Sequence, residues 1–414
     1  MLSRCTATDL TTFADQYWGR RPMLSRAASL PADFGDLLSV RAVDELIAER
    51  GVRAPFIRMA KEGVVLARDC YLGPAGFGAE MPDQVDPAGV LREFAAGATI
   101  VLQGLHRLWP PVIDFVRAMV DDLGHPVQAN AYVTPPGNRG FDPHYDVHDV
   151  FVLQVAGTKR WRVHRPVHTD PLATQPWTDH RAQIERRASD DAPEIEAVLS
   201  PGDALYLPRG WIHSADALGD TSIHLTIGVG AVTVRDVVAA IVAELDDCAE
   251  FRQSLPLGID LTDRDQTVPI ATKAMAAVVE RLRDHAADVG EGAAARLARR
   301  HTARTRPVPV RPLATLEAIG VVNAATRLRL RHGLVPTLRR VADRAELLTG
   351  ERSISTPGYC LEALRTIRSG EIVSAAELPG LDAADGTVLL RRLLAEGVVV
   401  VVEDRHVTPP GPEA

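Results

Sequence analysis

Between Gln128 and Val229 the chain runs in short apolar stretches cut by glycine and proline turns, a spacing that suits an all-β barrel or sandwich and leaves no room for long helices. FVLQV at 151–155 and RWRVH at 160–164 read as strands of a hairpin around Ala156-Gly157-Thr158. Further strands are expected at 197–199, 204–207 and 222–229, the last reading SIHLTIGV. PPGNRGFDP, 135–143, reads as a loop that delivers the chain to the next strand. The mixed-charge stretch from Asp170 to Glu196 lacks alternation and reads as an insertion over the barrel mouth, where loops commonly carry specificity.

Inside this region His144 and Asp146 stand one residue apart. On a β-strand, side chains at i and i+2 leave the same face, so both would reach one point while Tyr145 looks away. A third leg is expected from SPGDALYLPRGWIHSA, 200–215, where a strand ends at Pro208 and His213 follows 67 residues after Asp146. Two imidazoles and one carboxylate on one face leave other coordination positions open, which suits non-haem Fe(II) and oxygen chemistry. His148 and His224 share strand faces with these ligands by period two and are the residues most easily mistaken for a leg. His164, His168 and His180 read as surface or loop residues, and Tyr17, Trp18 and Trp161 as core.

Several of these stretches resemble the JmjC-type cupin oxygenases called ribosomal oxygenases. The resemblance is carried by Asn130-Ala-Tyr-Val-Thr-Pro-Pro, Pro143-His-Tyr-Asp146, Asp149-Val-Phe-Val-Leu-Gln154, Gly157-Thr-Lys-Arg-Trp161 and Leu207-Pro-Arg-Gly-Trp-Ile-His213, with Tyr17-Trp-Gly-Arg-Arg-Pro-Met-Leu24 upstream. It implies an α+β chain built on a double-stranded β-helix, with Fe(II) on His144, Asp146 and His213. It also implies 2-oxoglutarate as co-substrate, its far carboxylate on Lys159, with Asn130 and Tyr132 lining the same pocket. Thr226, on the closing strand, is an additional donor. The family hydroxylates histidine or arginine side chains of ribosomal proteins. Its arginine-directed branch carries arginine where this chain has Lys159, which brings the chain closer to the histidine-directed branch.

Lys159 stands out on composition as well. Lys61, Lys159 and Lys273 are the only lysines among 46 basic residues, so the position reads as one that needs a compact ammonium. The net charge of −8 argues against an extended nucleic-acid surface. Cys5, Cys70, Cys248 and Cys360 are scattered and form no CxxC, as in reduced intracellular proteins. No stretch has signal-peptide or membrane-span character, so a cytoplasmic protein with no membrane contact is expected.

The 414 residues are divided as a catalytic domain at 1–232, a helical oligomerisation domain at 233–306 and a winged-helix-like domain at 313–408, separated by the stiff RPVPVRP linker at 306–312. The opening residues, with helices near 8–18, 37–49, 87–95 and 111–123, wrap the β-core. Helices are expected at 235–251, 267–289 and 291–304, then at 359–369 and 383–396, followed by a strand at 398–404. The family resemblance implies a homodimer. From 358 to 414 nine acids face five arginines, so the last domain is expected to contact protein rather than DNA. Rival readings are an oxygenase acting on a peptide or small metabolite, a non-redox metal-binding cupin, which has no use for Lys159, and a winged-helix regulator, which would need a basic recognition helix.

Overall fold

The computed structural model describes residues 1–349 and 352–402. The chain divides into two compact units that meet at Val232–Thr233. The first opens with helix α1 (Leu10–Gln16), capped by Asp9, whose carboxylate accepts from Thr12 N, followed by strand β1 (Met23–Ser25) and helix α2 (Val40–Ala48), capped by Ser39. Strands β2 (Ile57–Lys61), β3 (Val64–Val65), β4 (Leu72–Gly73) and β5 (Gln84–Val85) precede α3 (Pro87–Ala95). Pro87 occupies the first helical turn and Asp86 caps it, so the predicted and observed limits coincide. Strand β6 (Thr99–Leu102), α4 (Leu105–Leu108) and α5 (Pro110–Leu123) lead into the barrel.

The barrel strands are β7 (Val127–Thr134), β8 (Asp149–Ala156), β9 (Lys159–His164), β10 (Ile195–Leu199), β11 (Ala204–Leu207), β12 (Ile212–Ala217) and β13 (Ser222–Val229). They form two sheets. The larger has the order β1-β11-β8-β13-β7-β6-β2-β3 and the smaller β10-β9-β12, antiparallel throughout. The expected β8–β9 hairpin is therefore absent: β8 pairs with β11 and β13, while β9 pairs with β10 and β12. Between them the chain crosses from one sheet to the other, and the crossover needs Gly157. Its φ is +60°, and a Cβ there would lie 2.2 Å from the Thr221 carbonyl oxygen.

Alternation along the strands builds a core on each side of the larger sheet. Phe151, Leu153, Ile223, Leu225, Ile227, Ala129, Ala131 and Val133 face the helices, where Phe13, Phe115 and Met119 complete the main cluster. Val150, Val152 and Leu205 face the smaller sheet and meet Trp161, Val163, Leu199 and Trp211. The 170–196 stretch is not a bare loop: α6 (Arg181–Asp190) buries Ile184 against Tyr145 and Ile212. His164, expected at the surface, is 4% exposed because it lies on β9, the central strand of the smaller sheet, opposite Ile212.

Beginning at Thr233, the second unit starts with α7 (Val234–Ala243), closed at its N-terminus by a capping box between Thr233 and Asp236. Helices α8 (Arg264–Asp284) and α9 (Ala286–Thr305) follow, and α9 packs on α7, with Arg300 reaching Asp236 at 2.7 Å. The sequence missed α10 (Pro312–Val321), which begins at the proline that read as linker. The remainder has β14 (Leu328–Leu330), a meander of β15 (Thr337–Val341), β16 (Arg344–Thr349) and β17 (Arg352–Pro357), helices α11 (Leu361–Arg368) and α12 (Ala383–Ala395), and β18 (Val399–Val401) paired with β14. The expected 398–404 strand ends at Val401, and positions 403 and 404 lie outside the described residues. No helix among the described residues is long and apolar enough to cross a membrane.

Asp203 fastens β1 to the barrel. Its buried carboxylate accepts from Ala27 N at 2.8 Å, Ser200 N at 3.0 Å and Arg26 Nη1 at 2.8 Å. Asp203→Ala strips three donors at once and should cost about 3 kcal/mol of unfolding free energy in a urea titration. A loss below about 1 kcal/mol would show that the carboxylate is not a structural anchor.

Candidate metal centre and co-substrate pocket

The structure brings His144, Asp146 and His213 together, with one ligand atom from each within 4.8 Å of the others. His144 is not on a continuous strand, as expected, but on an isolated antiparallel bridge. His213 N donates to His144 O at 2.8 Å, and His144 N to His213 O at 3.2 Å. Gly210 N donates to Asp146 O at 3.0 Å, which fixes the second ligand from the same turn that introduces His213. Tyr145 does point away, into the pocket with Ile184 and Ile212, where its hydroxyl donates to Gln175 O at 3.0 Å.

Each imidazole is oriented through its inner nitrogen. His144 Nδ1 lies 2.7 Å from Asp142 O, and His213 Nδ1 lies 3.0 Å from Trp211 O. A carbonyl only accepts, so both Nδ1 atoms carry a proton, which in the neutral ring leaves Nε2 as the atom with the lone pair. His213 Nε2 sits 3.7 Å from Asp146 Oδ2. Burial, reinforced by neighbouring His144, pushes His213 down to about 4, so it is neutral at physiological pH. Burial raises the Asp146 carboxyl, but the fields of His148, His213, His144 and Arg58 outweigh it and hold it below its ordinary value. Two neutral imidazoles and a carboxylate are the protonation states a divalent cation requires, and the donor set fits one.

A narrow cavity of about 60 Å³ extends from the triad between the two sheets. Lys159, on β9, is buried at its closed end, and Nζ donates to Thr134 Oγ1 at 3.1 Å. Thr99 donates to the same oxygen at 3.2 Å. Among the described residues no carboxylate pairs with the ammonium, and burial pushes its pKa down to about 8. Trp161 Nε1 and His224 Nδ1 are buried there with no hydrogen-bond partner. His224 stacks on Tyr132, ring centroids 5.1 Å apart, and meets Trp161 edge-on. Burial holds His224 neutral, well below its ordinary value. An ammonium and an indole N–H left unpaired at one end are a fit for an anionic terminus.

Tyr132 and Thr226 line the cavity, and burial raises the Tyr132 hydroxyl above its ordinary value. Asn130 is on the same face of β7, but its Oδ1 accepts from Gly104 N at 3.0 Å and it is not among the lining residues. His148 lies against Gly228, outside the triad.

A JmjC domain model matches residues 110–237. Ribosomal oxygenase 1 of Gallus gallus is 32% identical over 255 residues, 59% of this chain and 40% of that protein. The Homo sapiens protein of the same description is 35% identical over 185 residues, 42% of this chain and 28% of its own. Over these residues the chain is similar to the JmjC-type ribosomal oxygenases. It spans less than half the length of these relatives. A further relative, from Drosophila persimilis and described as a bifunctional lysine-specific demethylase and histidyl-hydroxylase, is 28% identical over 60% of this chain and 35% of its own. The Escherichia coli ribosomal oxygenase YcfD, solved with cobalt and 2-oxoglutarate, shares the fold at a TM-score of 0.53 and 17% identity, covering 96% of this chain and 99% of its own.

Within this JmjC-type framework, Thr134, Trp161 and Arg58 are cavity or near-cavity residues that sequence reasoning did not select. The first two were reachable: Thr134 follows Tyr132 and Trp161 follows Lys159 by the period of two that places alternate side chains on one face. Trp161 is thus a wall of the cavity as well as a member of the smaller core. Arg58 had no such signal. It reaches Tyr132 because β6 separates β2 from β7, with Arg58 opposite Val101 and Val101 opposite Tyr132.

Titrating Co(II) into the metal-free protein should produce visible ligand-field absorption at one equivalent. Asp146→Ala and His213→Ala should abolish it, and His148→Ala should leave it in place. Absorption that survives His213→Ala but disappears with His148→Ala would show that the wrong histidine has been named.

Proposed function

We propose that the chain is a 2-oxoglutarate- and Fe(II)-dependent oxygenase that hydroxylates a protein side chain, histidine or arginine of a ribosomal protein, with histidine favoured. The observation that carries this reading is the pairing of a triad whose Nε2 atoms are free with a buried, unpaired ammonium on the opposite side of one cavity. A metal-binding cupin without redox turnover has no need of that ammonium. YcfD supports the co-substrate by its cobalt and 2-oxoglutarate complex, and the Drosophila persimilis relative supports histidine by its description.

His144, Asp146 and His213 would hold Fe(II) and leave adjacent positions for the keto acid and dioxygen. The bound metal supplies, with those two, the oxidising power to insert oxygen into an unactivated C–H bond. The protein's part is placement and exclusion. Lys159, with Thr134 beside it, anchors the far carboxylate of the co-substrate. Tyr132, Phe141 and Trp161 wall the cavity against water, which protects a reactive centre from side reactions. Tyr132, in the cavity wall, and Arg58, whose guanidinium lies 5.4 Å over the ring of Phe141 in the same wall, are proposed to meet the substrate side chain. Asn130 and Thr226 complete the proposed set, Thr226 from the wall and Asn130 through the Gly104 turn it holds.

The 233–306 segment is proposed to form a homodimer. On α7, Val234, Val238 and Val242 repeat every fourth residue and are 80%, 51% and 49% exposed, an apolar stripe that a second copy would cover. Val238→Asp should give a monomer in sedimentation equilibrium, and a dimer that persisted would remove this stripe from the interface. The residues from 313 to 408 are proposed as a winged-helix-like domain for protein contact, and the whole as a cytoplasmic protein.

Lys159→Ala should weaken 2-oxoglutarate binding by calorimetry at least tenfold, about the effect of one charge-assisted hydrogen bond. In the wild type, affinity should be flat below pH 8 and fall as pH rises through about 8, because the free ammonium is lost there while the carboxylate requires it. An affinity independent of pH between 7 and 9.5 would remove Lys159 from the pocket. The target itself is tested by intact-mass spectrometry of host ribosomal proteins with and without the gene. One protein should lose one oxygen mass when the gene is deleted, and an unchanged set of masses would overturn the ribosomal assignment.

A further inference from the structure

The second unit holds a cavity that this reaction does not use. It measures about 1040 Å³ and lies where the end of α9, the 306–312 segment, α10 and the end of α12 meet. Arg299, Arg306, Arg331 and Arg352 line it, and among the described residues none of the four forms an ion pair. Among the described residues the single acid in the lining, Glu396, is engaged by Arg392 at 3.2 Å. Arg331 Nε and Thr302 Oγ1, both in the lining, are buried without a hydrogen-bond partner. Burial also lowers the Arg331 guanidinium below its ordinary value. The local sequence is strongly basic for a chain of net charge −8: residues 292–352 contain thirteen arginines against four acids.

Unpaired buried polar atoms of this kind are costly, charged groups most of all, and an anion seated on them removes that cost. The guanidinium fork suits phosphate or carboxylate oxygens in pairs. The rest of the lining is apolar, with Leu316, Leu334 and Leu394 along it, so a bare inorganic anion would leave most of the cavity unused. A mainly apolar wall with a few convergent polar groups is the make-up of a small-molecule site, and this cavity is of that size. Among the described residues the lining contains no aromatic ring, which leaves a nucleobase nothing to stack on and gives a nucleic-acid strand only the charged rim.

We propose that this cavity binds an amphiphilic anion: an apolar body along Leu316 and Leu334 that ends in a phosphate or carboxylate head on Arg331, with Arg352 and Arg306 beside it. The site is separate from the metal centre and stands whether or not the oxygenase reading does.

The test is isothermal titration of the full-length protein with dodecyl phosphate and with dodecanoate, each below its micelle concentration, and with poly(U) in parallel. One saturable site is expected for at least one of the two amphiphiles, and the tighter of them identifies the head group. Combined Arg331→Gln and Arg352→Gln should weaken it about tenfold or more, the loss expected for charge-assisted hydrogen bonds, without changing the Co(II) absorption of the triad. Leu316→Glu is the second variant. Leu316 is 66% exposed, so the change is tolerated by the fold, and it places a like charge against the ligand body. Binding of neither amphiphile, affinity unchanged in both variants, or poly(U) binding as tightly as the amphiphiles would each overturn the proposal.

Discussion

The structure of the first unit depends on a two-residue antiparallel bridge between His144 and His213. Its reciprocal N–H···O bonds, 2.8 and 3.2 Å, bring together segments 69 positions apart and set the two imidazole centroids 4.5 Å from each other. Neither segment could hold that geometry by propensity alone, because the chain around His144 is extended but not part of a ladder. The bridge is held at both ends by the sheets, with β12 starting at Ile212 and β8 at Asp149. Two backbone carbonyls then fix which nitrogen of each ring faces inward. The ligand geometry is thus a property of the main chain, and the side chains inherit it.

A second constraint acts across the cavity. Burying an ammonium without a carboxylate partner is costly, and the Lys159 pKa of about 8 records that cost. The fold retains it because β9 cannot turn Lys159 outward without also turning Trp161 and Val163 out of the smaller core. The packing of the hydrophobic layer therefore holds the charge in place. Trp161 serves both purposes at once, as a core residue and as an unpaired N–H donor at the cavity's closed end.

Much of this was legible in the residues. His144, Asp146 and His213 were fixed by type and spacing, and Lys159 by its rarity in an arginine-rich chain together with the family motif around it. Helices α2, α3 and α12 fall within a few positions of the expected 37–49, 87–95 and 383–396, and the structure shows Ser39, Asp86 and Asp382 capping them. Sheet membership was not legible. A glycine between two apolar strands signals a turn, but whether the strands pair or part depends on what lies opposite, and Gly157 sits against Thr221 rather than completing a hairpin. Arg58 was hidden for the same reason: its neighbours across β6 are set by a strand order that no local pattern encodes. The start of α10 was hidden because the 306–312 segment, with prolines at 307, 309 and 312, reads as a linker, and only the last of them opens a helix.

The account stands on one ion and one carboxylate occupying the two ends of a single cavity. An anaerobic crystal structure of the full chain with Fe(II) and 2-oxoglutarate tests this most directly. The metal should be ligated by Nε2 of His144, Nε2 of His213 and the Asp146 carboxylate, with the keto acid chelating it and its far carboxylate on Lys159 Nζ. A metal bound through other residues, or a keto acid whose far end lies away from Lys159, would contradict the account.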